Sequence, residues 1–260
     1  MEIPSPEERF PQKGTVLIFP GGGYRYLSDR EAAPIVRAFS GYEIRSGIFR
    51  YDVDSRLLGA RPVTQAAWAV AKIRELYPGE PVTVLGFSAG AHCAGSLGVH
   101  YDGIDWNGKD LFAETDFAGR NVRPDGMVLC YPVITAGEYA HKGSIERLIG
   151  ALEDPEEYAR AAGWMSLETQ VTENTPQAFI WQTQEDNSVP VQNSLLMVQS
   201  LVKAHVPTEL HMYPRGLHGM SLATKETEDP EDGLMPDAHV AGWFEEMVQW
   251  LRVSRLVAQA

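Results

Sequence analysis

Cysteine is nearly missing from this chain: Cys93 and Cys130 are its only two in 260 residues. Both sit in apolar segments, so they read as buried free thiols of a reducing compartment and not as a disulfide framework. Positive charge is scarce as well. Lys and Arg number 22 against 35 Asp and Glu, for a net charge of −13, and a surface of that sign argues against nucleic acid or an anionic membrane as partner. No apolar run approaches the ~20 residues that span a bilayer. The stretch Met1–Glu8 is acidic and broken by Pro4 and Pro6, with no basic or apolar leader pattern. The expected location is the cytoplasm.

Metal motifs are missing too. There is no His-Glu-x-x-His and no paired Cys-x-x-Cys, and the acidic stretch Asp102–Asp110 does not match a calcium loop. The three glycines Gly21–Gly23 are not followed by the Lys-Ser/Thr of a P-loop. Tyr26 stands where a dinucleotide fingerprint needs its third glycine. No metal and no other cofactor is expected.

What the chain does have is Gly86-Phe87-Ser88-Ala89-Gly90 at the end of the apolar run Pro81–Leu85. That is the order of a nucleophile elbow: a buried strand, a sharp turn that exposes a serine, and a helix. The following residues, Ala89–Gly98, include three glycines and make a poor helix by propensity, which suits a helix lying close against a sheet.

Apolar runs alternate with helical patterns along most of the chain. Strands are predicted at Thr15–Phe19, Tyr42–Phe49, Pro81–Leu85, Gly126–Tyr131, Ala178–Thr183 and Thr208–Tyr213. Helices are predicted from an Asp29 cap through about Ser40, over Val63–Leu76, Val191–Ala204 and Ala238–Val253. Residues 101–124 read as an irregular connection. Between 132 and 175 the alternation breaks down into short helical patterns around Ile145–Leu152 and Pro155–Ala162, as expected of a small cap. The expectation is an α/β fold with a mainly parallel sheet covered on both faces, in one domain over 1–260.

A serine nucleophile needs a base, and seven histidines compete. His218 lies in a loop just past a predicted strand end, on the sheet edge where the elbow also points. His211 falls inside a strand, His205 at a helix end, and His92 one turn along the elbow helix, where a structural role is expected. The base needs an orienting carboxylate. Asp186, between a strand and a helix, is preferred to its neighbour Glu185, which reads as a solvated side chain. An oxyanion needs backbone donors: Ala89 N–H supplies one, and Gly22 and Gly23 can supply the other. A passive tight turn is the alternative for those glycines.

These segments resemble the α/β-hydrolase esterases, especially the bacterial branch with acetyl xylan esterases and other small-acyl carbohydrate esterases. The resemblance rests on Phe19–Tyr24, Gly86–His92, Tyr131–Ile134, Asp186–Pro190 and His218–Thr224. It implies an α/β-hydrolase fold, a Ser88-Asp186-His218 triad and an oxyanion loop at Gly21–Gly23. Pro20 replaces the histidine of the His-Gly-Gly-Gly form, and Asp52–Ser55 is less proline-rich than the branch's usual stretch after its second strand. The implied activity is hydrolysis of short acyl esters, acetyl foremost, on a small-molecule substrate such as an acetylated oligosaccharide. Amidase, formamidase and feruloyl esterase chemistry on the same scaffold stays open, as does a non-catalytic binding protein. Trp164 or Trp181 can offer a flat face to a sugar ring, although packing is the commoner use of tryptophan.

Overall fold

The computed structural model describes residues 13–54, 57–102, 120–150 and 152–259. The Met1–Glu8 stretch, most of the 101–124 connection and all but the first residue of Asp102–Asp110 lie outside the described residues. Six strands form one sheet: β1 (Thr15–Phe19), β2 (Arg45–Ile48), β3 (Val82–Phe87), β4 (Gly126–Cys130), β5 (Gln177–Thr183) and β6 (Thr208–Tyr213). Their order is β2-β1-β3-β4-β5-β6 and every pairing is parallel.

The helices are α1 (Ala33–Ser40), α2 (Arg61–Leu76), α3 (Ala89–His100), α4 (Lys142–Ile149), α5 (Pro155–Met165), α6 (Gln192–Lys203), α7 (Ala238–Ala241) and α8 (Trp243–Val253). Successive strand residues point to opposite faces, so each strand feeds two cores. Leu17 and Phe19 join Val84, Leu129 and Ile180 beneath α2, α3 and α6. Val16 and Ile18 join Leu85, Val128 and Trp181 beneath α1 and α8. Trp181 is fully buried and stacks on Trp243 with ring centres 5.0 Å apart. Trp164 instead lies flat on His100 at 4.0 Å. Among the described residues no helix is long and apolar enough to cross a membrane.

Glycine lets α3 approach the sheet. A Cβ on Gly90 would stand 2.1 Å from the Phe19 carbonyl oxygen, and one on Gly98 2.1 Å from the Met127 sulfur. The weak helix propensity of this segment is the condition for its burial, because no larger side chain fits the contact.

Several element ends shift by one to three residues from the sequence expectation, among them α4 (Lys142–Ile149) and α5, which runs on to Met165, and three differences have a local cause. Asp29 does not cap a helix. Residues Asp29–Glu31 form a separate 3-10 turn, and α1 begins at Ala33 with Ala32 as its cap residue. Pro34 lacks an N–H and its ring would collide with the carbonyl four residues back, so it is confined to a helix's first turn. The second strand starts at Arg45, not Tyr42, because Glu43 takes a φ of 58°. The closing helix breaks at Gly242 into α7 and α8.

Candidate active site

The chain runs outward from β1 to β2 and then returns to place β3 on the other side of β1. This reversal puts the loops after β1 and β3 side by side at the carboxyl edge of the sheet, where open α/β sheets bind ligands. In register, Phe19 faces Gly86. The Gly21–Gly23 loop and Ser88 therefore begin two residues beyond a paired position.

Ser88 occupies the corner between β3 and α3 with φ 53° and ψ −118°, a region that side chains enter at a cost of about 1–3 kcal/mol. The neighbours hold it there. Its N–H donates to the Cys130 carbonyl at 3.0 Å, and its carbonyl accepts from Val133 N–H at 3.2 Å. A Cβ at Gly86 would lie 2.4 Å from the Gly90 carbonyl oxygen, so the turn closes only with glycines on both flanks.

The structure brings together the three side chains that the sequence singles out. His218 Nε2 lies 2.8 Å from Ser88 Oγ, and His218 Nδ1 lies 2.8 Å from Asp186 Oδ2. The Asp186 side chain is fully buried. Its Oδ1 accepts from the N–H groups of Ser188 and Val189 at 3.0 and 2.8 Å, and Oδ2 also accepts from Gln182 Nε2 at 3.2 Å. A carboxylate fixed by that many donors accepts the Nδ1 proton of His218, which leaves Nε2 free to take the serine proton. Glu185 is exposed and reaches only the Gly216 N–H, at 3.4 Å.

The other histidines named from sequence are elsewhere. His211 is held between Glu209 and Glu246, each at 2.8 Å. His205 sits just past α6 with φ 59°. His92 is buried behind the elbow, with its ring nitrogens bonded to Tyr24 and the Met165 carbonyl.

Of the three loop glycines, Gly21 donates its N–H to Glu31 Oε2 at 2.7 Å. Among the described residues no acceptor is bonded to the N–H of Gly22, Gly23 or Ala89. Gly22 has φ 125°, and a Cβ there would strike the Tyr26 carbonyl oxygen at 2.2 Å. The tight turn and the availability of its donors are thus two consequences of one conformation.

A cleft of about 510 Å³ opens over these groups, lined by Ser88, His218, Gly22 and Gly23 together with Tyr26 and His141. His141, the residue before α4, bonds to Ser144 Oγ through Nδ1 at 2.8 Å. Burial lowers its pKa, and the nearby His218 adds to that. Tyr26 is 59% exposed. Glu31 and His141 carry no sequence signal, because each meets the site through contacts between separate segments, while Tyr26 belongs to the glycine loop itself. The turn chemistry of Gly21–Gly23 marks the loop they surround and nothing more.

Residues 133–249 match the family model described as the prolyl oligopeptidase family. Over 223 residues the chain is 36% identical to endo-1,4-beta-xylanase B of Butyrivibrio fibrisolvens, an alignment covering 83% of this chain and 34% of that relative. The chain thus spans about a third of the length of that curated relative. Among solved structures it is similar to an acetyl ester-xyloside bifunctional hydrolase from Caldicellulosiruptor lactoaceticus, with a TM-score of 0.76 and 32% identity over 94% of this chain and 84% of that one. It is also similar to MGS-M1, an alpha/beta hydrolase enzyme from a Medee basin deep-sea metagenome library, with a TM-score of 0.69 and 28% identity over 93% and 84% of the two chains.

Proposed function

The chain belongs to the α/β-hydrolase family, in its esterase branch, and from that premise we propose that it is a serine carboxylesterase acting on short acyl esters of carbohydrates, acetyl esters above all. The observation that carries the chemistry is the pair of 2.8 Å contacts linking Ser88, His218 and Asp186 at the floor of an open cleft. Ser88 Oγ attacks the ester carbonyl carbon while His218 Nε2 takes its proton. The resulting oxyanion lies against the N–H groups of Ala89, Gly22 and Gly23. Collapse of the tetrahedral intermediate breaks the bond to the alcohol, which leaves with the proton from His218 and gives an acyl-Ser88 ester. Water then repeats the sequence and releases the acid.

Two observations support the substrate class. The 32%-identical structural relative is an acetyl ester-xyloside bifunctional hydrolase. Tyr26 presents an exposed aromatic ring to the cleft, the kind of surface on which a sugar can rest. Trp181 cannot do this, being wholly inside the sheet core, and Trp164 is covered on one face by His100. The short-acyl preference draws on the size of the segment over the cleft. Among the described residues, 132–175, read as a cap on a single domain, hold the 8-residue α4, the 11-residue α5 and a 3-residue 3-10 turn at Leu167–Thr169, too little to roof a lipid-sized tunnel. The two cysteines are buried and unpaired, in keeping with a cytoplasmic home.

One panel tests the reading. Purified protein should take a fluorophosphonate label that Ser88→Ala abolishes, and should release acetate from acetylated xylo-oligosaccharides. Rates on acetyl, butyryl, octanoyl and feruloyl esters and on formamides rank the alternatives. An optimum at octanoyl would remove the short-acyl reading, and a preference for formamides would replace the esterase with an amidase. Absence of labelling would leave a binding protein.

A further inference from the structure

A second carboxylate lies directly behind the oxyanion loop. Glu31 is 3% exposed. Its Oε2 accepts the Gly21 N–H at 2.7 Å and its Oε1 accepts the Tyr131 hydroxyl at 2.5 Å. Gly21 fits so closely here that a Cβ would stand 2.8 Å from Oε2 and 3.0 Å from the Ser88 Cβ. Tyr131, which follows β4 with φ 37°, has two further contacts. Its oxygen accepts the Ser221 N–H at 3.1 Å, three residues past His218. Its ring meets the His218 imidazole edge to face, with centres 5.1 Å apart.

The 3-10 turn that carries Glu31 grips the His218 loop by a second route. Arg30 Nη1 donates to the Gly219 carbonyl at 3.0 Å and Arg30 Nε to the Thr227 carbonyl at 2.9 Å, and the Arg30 carbonyl accepts the Ser221 hydroxyl at 2.7 Å. One short turn thus holds the loop whose N–H groups face the cleft and the loop that carries the imidazole.

We propose that Glu31 is a positioning residue for the hydrolysis: it fixes the Gly21–Gly23 loop against the His218 loop through Tyr131. The proposal rests on the serine-esterase reading of Ser88. A buried carboxylate costs several kcal/mol of desolvation, which an amide in the same place would avoid. Burial accordingly pushes the Glu31 carboxyl up, while the Tyr131 and Gly21 donors and the charges of His218 and Arg30 pull it back. The chemistry needs two structures in register to within a fraction of an ångström, the donors for the oxyanion and the base for the serine proton. Glu31 has one oxygen for each.

Glu31→Gln keeps the volume and an acceptor for Gly21, removes the charge, and turns an N–H₂ toward Tyr131. Its kcat on an acetyl ester should fall about 10- to 100-fold with KM within about twofold. A part confined to holding the fold lowers the melting temperature and leaves the kcat of the folded enzyme unchanged, so the fall in kcat at constant KM is the readout. Tyr131→Phe, which keeps the ring against His218 but breaks both hydroxyl contacts, should lower kcat about tenfold, and serves if Glu31→Gln does not fold. A folded Glu31→Gln with wild-type kcat overturns the proposal, as does wild-type kcat in Tyr131→Phe. Ser88→Ala runs beside them. Residual turnover in that variant strikes the serine reading, whereas a fast Glu31→Gln beside a dead Ser88→Ala strikes this proposal alone.

Discussion

His92 and Tyr24 meet edge to face behind the elbow, ring centres 5.9 Å apart, with 2.9 Å between the Tyr24 hydroxyl and His92 Nδ1. On the far side of the ring, Nε2 lies 2.9 Å from the Met165 carbonyl. A carbonyl only accepts, so Nε2 carries the proton and Nδ1 accepts from Tyr24. The imidazole is thus a neutral strut between the loop after β1, helix α3 and the end of α5.

That arrangement sets the acid limit of the fold. Burial, partly offset by the Met165 hydrogen bond, lowers the His92 pKa from 6.5 to about 4. A depressed folded-state value means that the unfolded chain binds the proton first. Stability is therefore full above the unfolded value and is lost as pH falls from about 6.5 toward 4. The loss is on the order of 3 kcal/mol for this group. His100, lowered chiefly by burial, acts with the same sign, while Glu31 and Glu168, raised by burial, act with the opposite one. Denaturant unfolding at stepped pH between 7 and 4.5 should give a falling free energy. His92→Gln should be less stable at neutral pH yet have a flatter profile. An equally steep profile in the variant would assign the acid sensitivity to other groups.

Strain at the elbow predicts a gain in stability on removing the Ser88 side chain entirely. Ser88 holds a φ of 53° with a ψ of −118°, which glycine adopts freely and alanine does not. Ser88→Gly should stabilise by about 1 kcal/mol and Ser88→Ala should be near neutral. Both should be inactive, and adding His218→Ala to Ser88→Ala should slow turnover no further, since the members of such a unit do not act additively. Thermal melts and acetate release measure the two halves of this separately.

The elbow is also the part of the molecule most legible in sequence. Gly86, Ser88, Gly90 and the strand before them sit together in the chain, and their spacing is dictated by local sterics. Asp186 and His218 follow from the rule that parallel strands end at one edge. The 3-10 turn at Asp29–Glu31 is different. Asp29 carries a cap signal that Pro34 overrides, and Glu31 reads as an ordinary surface acid until Tyr131, one hundred residues later, arrives beside it. Tyr131 itself lies in a segment the resemblance rests on, yet its hydroxyl partners are set by how β4 ends and not by its neighbours in sequence. Residues whose roles depend on two loops meeting leave no periodic or spaced pattern to read.

Close approach makes a sharper mutational test than hydrogen bonding. A Cβ at Gly90 would sit 2.1 Å from the Phe19 carbonyl oxygen and 2.5 Å from that of Pro20. Both are backbone atoms at the carboxyl end of β1, so neither can turn aside as a side chain could. Gly90→Ala should destabilise by more than about 4 kcal/mol or prevent folding. Gly163→Ala, where a Cβ meets nothing within 4 Å, should be neutral or slightly stabilising because the position is helical. Soluble yield and melting temperature of the pair give the comparison, and a well-folded Gly90→Ala would mean that α3 stands farther from β1 than described.

The carbohydrate part of the proposed function turns on Tyr26. Its ring is 59% exposed and lines the cleft beside Ser88 and His218, and its Cδ2 would lie 3.1 Å from a Cβ on Gly22. An aromatic face next to the oxyanion loop can stack on the sugar that carries the acetyl group but contributes nothing to an acetyl ester without one. Stacking of this kind is worth about 0.5–1.5 kcal/mol. Tyr26→Ala should therefore raise KM for acetylated xylo-oligosaccharides about 2- to 10-fold at nearly constant kcat. The rate on ethyl acetate, whose alcohol carries no ring, should be untouched, and Tyr26→Trp should restore the sugar ester. Tyr26 packs over Gly22 with its backbone as well as its ring, and its N–H donates to the Gly22 carbonyl at 3.3 Å, so truncating the side chain leaves that backbone contact intact. If both substrates slow together, the ring is holding the oxyanion loop in place and is not a platform. If neither slows, the alcohol portion of the substrate lies elsewhere in the cleft, and the case for a sugar loses its structural support.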